Sequence, residues 1–265
     1  MTATRLAAGI VGLAVVLPVL WWGGWLGVQA LVLITSIVCL VEYSGMAFPD
    51  DRPIALVWLL AGWFVVHVAF HHPSVPSLLG AGGVLTMGAM TVATLRVGSD
   101  ISAAADRAAR GLLGIGWIGL LSFLPLIRHG PDGLAWVFAV LVVSWLGDTG
   151  AYFAGRAFGR HALYPKVSPK KTWEGALGGI TLATVGLFVV SELGLPAMSA
   201  LDVLILGPLL CIGGILGDLA ESMLKRSFGV KDAGRIMPGH GGLLDRIDSV
   251  LFVAPATWLW IQVTS

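Results

Sequence analysis

Residues 217–248 read GDLAESMLKRSFGVKDAGRIMPGHGGLLDRID, a run of acids, bases and glycines in a chain that is otherwise mostly apolar. Wound as a helix, Asp218, Glu221, Ser222 and Lys225 fall at i, i+3, i+4 and i+7, which makes one polar stripe on an apolar rod. Beyond Lys225 and Arg226, a glycine-punctuated loop adds Lys231 and Arg235. His240-Gly241-Gly242 then allows close backbone approach, and Asp245 and Asp248 stand three apart on one face of the next helix. A second stretch, SWLGDTGAYFAGRAFGRHALYPKVSPKKTWEG at 144–175, supplies Asp148, then Lys170 and Lys171 beside an expected helix start with Glu174 in its first turn. Cations next to a helix N-terminus suit a phosphate, although a plain positive anchor at the membrane surface is the alternative for that pair. LGDTGA (146–151) and LGDLAE (216–221) put an aspartate in the same local frame, so two helices are expected to aim carboxylates at one place.

Hard cations such as Mg²⁺ take carboxylate oxygens together with substrate phosphates rather than a complete protein cage. Aspartates on separate helices, beside clustered Lys and Arg and a Gly-rich loop, therefore fit metal-assisted phosphoryl or nucleotidyl transfer. No Walker A loop or kinase glycine loop occurs, so a nucleotide would be held in another way. The lack of a Cys/His cluster argues against zinc.

The elements that must position these residues are membrane helices. Of the 265 residues 57% are hydrophobic and 12% charged, with a mean hydropathy of +0.88. A soluble domain carries about 25% charge. Nine apolar stretches, at 5–22, 25–48, 53–70, 77–97, 109–128, 134–157, 173–195, 201–224 and 249–263, approach the roughly 20 residues a bilayer span needs. No alternating ten-residue strand pattern occurs, so the expectation is an all-α, polytopic protein with about nine spans. Arg5 before an apolar run resembles a leader, but no small-x-small cleavage site follows and the run ends in Trp21, Trp22 and Trp25, which suits an interfacial belt. The net charge of +1 says nothing about partners. The distribution does: nine spans put 15 of the 16 Lys and Arg on one side and Arg128 alone on the other. That asymmetry places the N-terminus and the charged motifs in the cytoplasm.

Residues 144–175 and 217–248 hold 17 of the 31 charged residues. Asp148 falls about 14 residues into a span entered from the outer face, roughly 20 Å deep, where a carboxylate is a functional candidate unless Arg156 neutralises it. Elsewhere the bland readings prevail. Glu42 reads as a helix end and Asp50-Asp51-Arg52 as a solvated loop. His67, His71 and His72 mark an outer helix end, Cys39 and Cys211 are packing residues, and the glycines of GAGGV (80–84) and GALGG (175–179) allow close helix packing. Two regions follow: helices in 1–130 as scaffold and candidate dimerisation region, and 131–265 as the catalytic region.

In these motifs the chain resembles the phosphatidate cytidylyltransferases, or CDP-diacylglycerol synthases. Ser222, Lys225, Arg226, Lys231, Asp232, Gly234, Pro238, Gly239, His240, Gly241, Gly242, Asp245, Arg246 and Asp248 match that family's signature without a gap. SPKKTWEG (168–175) and GDTGAYFAGRAFGR (147–160) look like its two upstream motifs; before residue 140 the likeness is one of hydropathy only. The resemblance implies transfer of CMP from CTP to phosphatidic acid, giving CDP-diacylglycerol and pyrophosphate, with Mg²⁺ and a possible second cation. It also implies a cytoplasmic-membrane enzyme, a homodimer and no nucleic-acid partner. By motif position Asp218 and Asp245 would be metal ligands, extended by Asp148 and Asp248, with Lys225 and Arg226 in the catalytic set. Lys170, Lys171, Ser222, Lys231, Arg235, His240, Gly241, Gly242 and Arg246 would hold the triphosphate and the lipid phosphate. A phosphatidate anion needs no general base, so His240 would contact phosphate or, alternatively, be an ordinary loop histidine. Two other functions share this architecture: a CTP-dependent kinase of a polyprenol-type alcohol, and a secondary transporter using intramembrane carboxylates. The first needs a base for a hydroxyl. The second needs repeats and broken helices at mid-membrane, whereas these polar groups cluster at cytoplasmic ends.

Overall fold

The computed structural model describes residues 2–71, 75–96, 101–234, 236 and 241–264. The chain is a helical membrane protein. Its first four helices are α1 (Thr2–Trp22), α2 (Gly24–Ala47), α3 (Arg52–His71) and α4 (Val75–Arg96). α5 (Ala104–Gly119) continues through a 3₁₀ turn at Leu120–Ser122 into α6 (Phe123–His129). Pro125 explains the tightening there, because it has no N–H for the carbonyl four residues back. α7 (Gly133–Phe158), α8 (Trp173–Gly194), α9 (Ala200–Ser227) and α10 (Leu244–Thr264) complete the bundle.

Seven helical segments among the described residues are long and apolar enough to cross a bilayer. The other two expected spans coincide with α1 and α4, whose described apolar stretches are the shorter Gly12–Trp22 and Gly80–Val92. α10 begins at Leu244, five residues before the apolar stretch read from the sequence, so Asp245 and Asp248 belong to its first turns.

One element departs from the helical expectation. Between α7 and α8, β1 (Ala162–Tyr164) pairs antiparallel with β2 (Ser168–Thr172). Lys170 and Lys171 therefore ride on a strand, directly before the expected helix start at Trp173 with Glu174 in its first turn. Thr172 ends that strand and caps α8, its hydroxyl oxygen accepting from Gly175 N at 3.1 Å. α9 opens with a full capping box: Ser199 Oγ accepts from Asp202 N, and Asp202 Oδ2 accepts from Ser199 N at 2.8 Å. This firm start, at the end opposite the charged cluster, fixes the register of the long helix that carries the polar stripe.

α7 and α8 pack against each other through glycines. A Cβ on Gly178 would lie 2.2 Å from Ala154 Cβ, and one on Gly150 would lie 2.5 Å from the Gly178 carbonyl oxygen. Without a hydrophobic drive between helices in lipid, such small-residue seams supply the packing. The glycines of GAGGV do not behave this way: among the described residues, Gly80, Gly82 and Gly83 have no neighbouring atom within 4 Å of an added Cβ. Gly178→Val should therefore cost about 1–3 kcal/mol or more and lower the thermal midpoint in detergent, while Gly82→Val should leave it unchanged. Equal midpoints for the two variants would contradict the seam.

Cys39 and Cys211 are buried free thiols, as expected. His67 is a satisfied core histidine: it stacks on Trp63 with 4.7 Å between centroids, shares a 2.8 Å hydrogen bond with Ser122 Oγ and contacts Gln29 Nε2. His71 joins the same group through Gln29 Oε1, and His72 lies outside the described residues.

Candidate active site

The ends of α7 and α9, strand β2 and the starts of α8 and α10 enclose a cavity of about 440 Å³. Asp148 and Tyr152 reach it from α7, Lys170 and Lys171 from β2, and Asp218, Glu221 and Lys225 from α9. Asp245, Arg246 and Asp248 reach it from α10, with Asp232 from the intervening loop. The two aspartates of the repeated LGD frame thus meet in one space, although 70 residues separate them in sequence.

Lys225 sits at the centre of the buried part. Its Nζ donates to Glu221 Oε2 and to Asp245 Oδ1, both at 2.6 Å. Glu221 is 1% exposed, and its Oε1 has no hydrogen-bond partner among the described residues. Nearer the opening, Lys171 Nζ lies 2.6 Å from Asp218 Oδ2, and Ser222 Oγ donates to Asp218 Oδ1 at 3.3 Å. Asp245 is held by backbone: its Oδ2 accepts from Gly242 N at 2.7 Å and from Ala233 N at 3.0 Å. Gly241 adopts φ +82°, and a Cβ there would fall 2.8 Å from Asp245 Oδ2, so both conformation and space call for glycine. Asp248 is 6% exposed and accepts from Ser249 N at 2.7 Å.

Asp148 forms no ion pair among the described residues, and the alternative counter-ion is engaged elsewhere: Arg156 Nη1 donates to Tyr152 Oη at 3.0 Å. Glu174 fastens the hairpin to α8. It accepts from Arg160 N at 3.1 Å and lies 2.6 Å from His161 Nδ1.

Of the expected site residues, Asp148, Lys170, Lys171, Asp218, Lys225, Asp245, Arg246 and Asp248 line the cavity. Ser222, Gly241 and Gly242 support it through Asp218 and Asp245. Arg226 stands outside the lining. It lies one residue past the polar stripe, turned about 100° around the helix, where it is exposed and donates to Val230 O at 3.3 Å. Lys231 is exposed and also outside the lining, and Arg235 and His240 lie outside the described residues. Four participants were given no site role from the sequence: Tyr152, Glu221, Asp232 and Glu42. Glu42 is the instructive one. Far from being an ordinary helix end, it is 4% exposed, and its carboxylate accepts from the backbone N–H groups of Leu243 and Leu244 at the start of α10. The available signal was a lone carboxylate inside the apolar stretch 25–48, which is itself a functional flag in a membrane helix.

Six carboxylates (Asp148, Asp218, Glu221, Asp232, Asp245 and Asp248) face four cations (Lys170, Lys171, Lys225 and Arg246), a formal excess of two negative charges. A polyphosphate would be repelled by that lining alone, whereas a hard divalent cation would be drawn to it. No group of three acidic, histidine or cysteine side chains among the described residues is set to enclose an ion by itself. The donor set fits the other mode, in which Mg²⁺ takes one or two carboxylates and completes its shell with substrate oxygens and water.

The cytidylyltransferase family model matches residues 3–264. A Staphylococcus aureus (strain COL) protein named phosphatidate cytidylyltransferase is 31% identical over 254 residues, 95% of each chain. Proteins of the same name from Bacillus subtilis (strain 168) and Staphylococcus saprophyticus are each 44% identical, over 143 and 148 residues. Those alignments cover 54% and 56% of this chain and span about half the length of those relatives, 53% and 56%.

Proposed function

Because the chain belongs to the cytidylyltransferase family, we propose that it is a membrane enzyme that makes CDP-diacylglycerol from CTP and phosphatidate. A phosphate oxygen of phosphatidate forms a bond to the α-phosphorus of CTP, the bond from that phosphorus to the β-phosphate bridging oxygen breaks, and pyrophosphate leaves. The observation that carries this reading is the lining itself: carboxylates from α7, α9 and α10 share one cavity with lysines from β2 and α9.

The nucleophile is already an anion, so the barrier is repulsion between two phosphates, which fixed cations relieve. Lys171 and Arg246, which line the cavity, would take phosphate oxygens, and Lys170 would add charge. Lys225 holds Asp245 and Glu221 in position from behind. Asp218 and Asp245 would hold the Mg²⁺, with Asp148 and Asp248 beside them; bound there, the ion neutralises charge developing on the α-phosphate and the leaving pyrophosphate. A homodimer and a second cation belong to the same proposal.

The same geometry favours a site within the inner leaflet. Asp148 and Asp218 lie 15 and 18 residues beyond the first residues of α7 and α9, roughly 22–27 Å at about 1.5 Å per residue. That is short of a hydrocarbon core about 30 Å thick. With the basic residues on the cytoplasmic side and the N-terminus inside, CTP descends from the cytoplasm and the lipid arrives sideways. Phosphatidate is thereby spared exposure of its chains, at about 0.8 kcal/mol per CH₂. The purified protein should release pyrophosphate only when CTP, phosphatidate and Mg²⁺ are all present. Release without phosphatidate, or none with all three, would overturn the assignment.

A further inference from the structure

We propose that Glu42, on α2 in the first half of the chain, is a positioning residue for the active site. It sets the backbone that presents Asp245. This inference rests on the reaction proposed above only for its kinetic arm.

The geometry is a two-sided grip. From one side, Glu42 Oε1 accepts from Leu243 N at 3.0 Å and Oε2 from Leu244 N at 2.9 Å, across 201 and 202 residues of sequence. These are the leading amides of α10, where a carboxylate both satisfies orphan donors and meets the positive end of the helix dipole. From the other side, Asp245 accepts from Ala233 N and Gly242 N. The loop backbone at 233–234 and 242–244 is therefore held between two carboxylates. The glycines record how tight this is. A Cβ on Gly234 would lie 2.4 Å from Glu42 Oε1, and one on Gly242 would lie 2.7 Å from Glu42 Oε2. Gly234 and Gly242 leave room for the Glu42 side chain, and they do so within one residue of the amides that hold Asp245.

Among the described residues Glu42 forms no ion pair. On the same helix, Val41 O accepts from Arg52 and Ala47 O from Arg110. Buried carboxylates are costly in lipid unless their oxygens are matched, and here both oxygens are matched by amides of the loop. Glu42 is not among the described residues that line the cavity, so it acts on the site through Asp245.

The test uses the full-length protein in nanodiscs. Glu42→Gln is isosteric but lacks the charge and can offer only one acceptor oxygen to the two amides; Glu42→Ala removes both. Hydrogen exchange at Leu243 and Leu244 should speed up at least tenfold in the alanine variant and less in the glutamine variant. In Glu42→Gln the half-saturating Mg²⁺ and the KM for CTP should each rise by several-fold, more than any fall in the correctly folded fraction. The Gly234→Ala change should be severe in the native background and mild beside Glu42→Ala, a non-additive cycle for groups in contact. Unchanged exchange at Leu243 and Leu244 overturns the inference. Faster exchange with unchanged Mg²⁺ and CTP dependence also overturns it, since Glu42 would then be structural only. If the native protein turns over no CTP, the proposed reaction fails, while the exchange and glycine arms still decide the grip.

Discussion

Asp218→Asn and Asp245→Asn are each expected to reduce turnover by at least about 10³-fold, the upper end of the loss from removing one preorganised electrostatic group. The two aspartates face the same cavity but are held differently, so their variants separate chemistry from folding. The Asp218 side chain is 29% exposed and bonded to Lys171 and Ser222, side chains near the opening. Its amide variant should insert, purify and melt like the native protein while losing the charge that attracts a hard cation. Asp245 is 8% exposed and accepts from Lys225, Ala233 and Gly242. An amide nitrogen there must face a donor on one side or the other, so a lower melting temperature should accompany the lost activity. Activity within tenfold of native in either variant, at ordinary Mg²⁺, would remove that aspartate from the metal site.

Lys225→Met should be nearly as damaging, for a different reason. The lysine is the cation between Glu221 and Asp245, both almost inaccessible to solvent. Removing one partner of a buried ionic group typically costs about 3–5 kcal/mol, because the remaining charges are uncompensated. The double variant Lys225→Met/Glu221→Gln relieves that repulsion. It should recover most of the melting temperature and little of the activity, and Lys225→Arg should not restore turnover, because a planar fork does not replace a compact ammonium in a site this close. Recovery of activity together with stability in the double variant would make Lys225 a structural residue only.

The helical architecture was legible because an apolar run of span length leaves the backbone no other way to satisfy itself in lipid. The polar stripe was legible for a similar reason: helical periodicity alone puts Asp218, Glu221, Ser222 and Lys225 on one face, and the structure has that face on the cavity. Convergence of Asp148 with Asp218 was suggested by their shared local frame. Other features depend on tertiary contacts that no local pattern encodes. The hairpin carrying Lys170 and Lys171 is two short strands closed by Glu174 and the Thr172 cap, too brief to register as alternation. Arg226 belongs to the charged motif by sequence, but helix rotation turns it away from the site. Glu42 finds its partners more than 200 residues away, so nothing in its neighbourhood could name them.

The most direct test of the proposed reaction is to follow which phosphate of CTP reaches the lipid. Purified protein in nanodiscs containing phosphatidate would be given CTP labelled at either the α- or the γ-phosphate, with Mg²⁺. The account predicts that α-label passes into the lipid fraction in proportion to pyrophosphate formed, while γ-label stays entirely in the aqueous pyrophosphate. Transfer of γ-label to lipid, with CDP as the aqueous product, would contradict it and identify a lipid kinase instead.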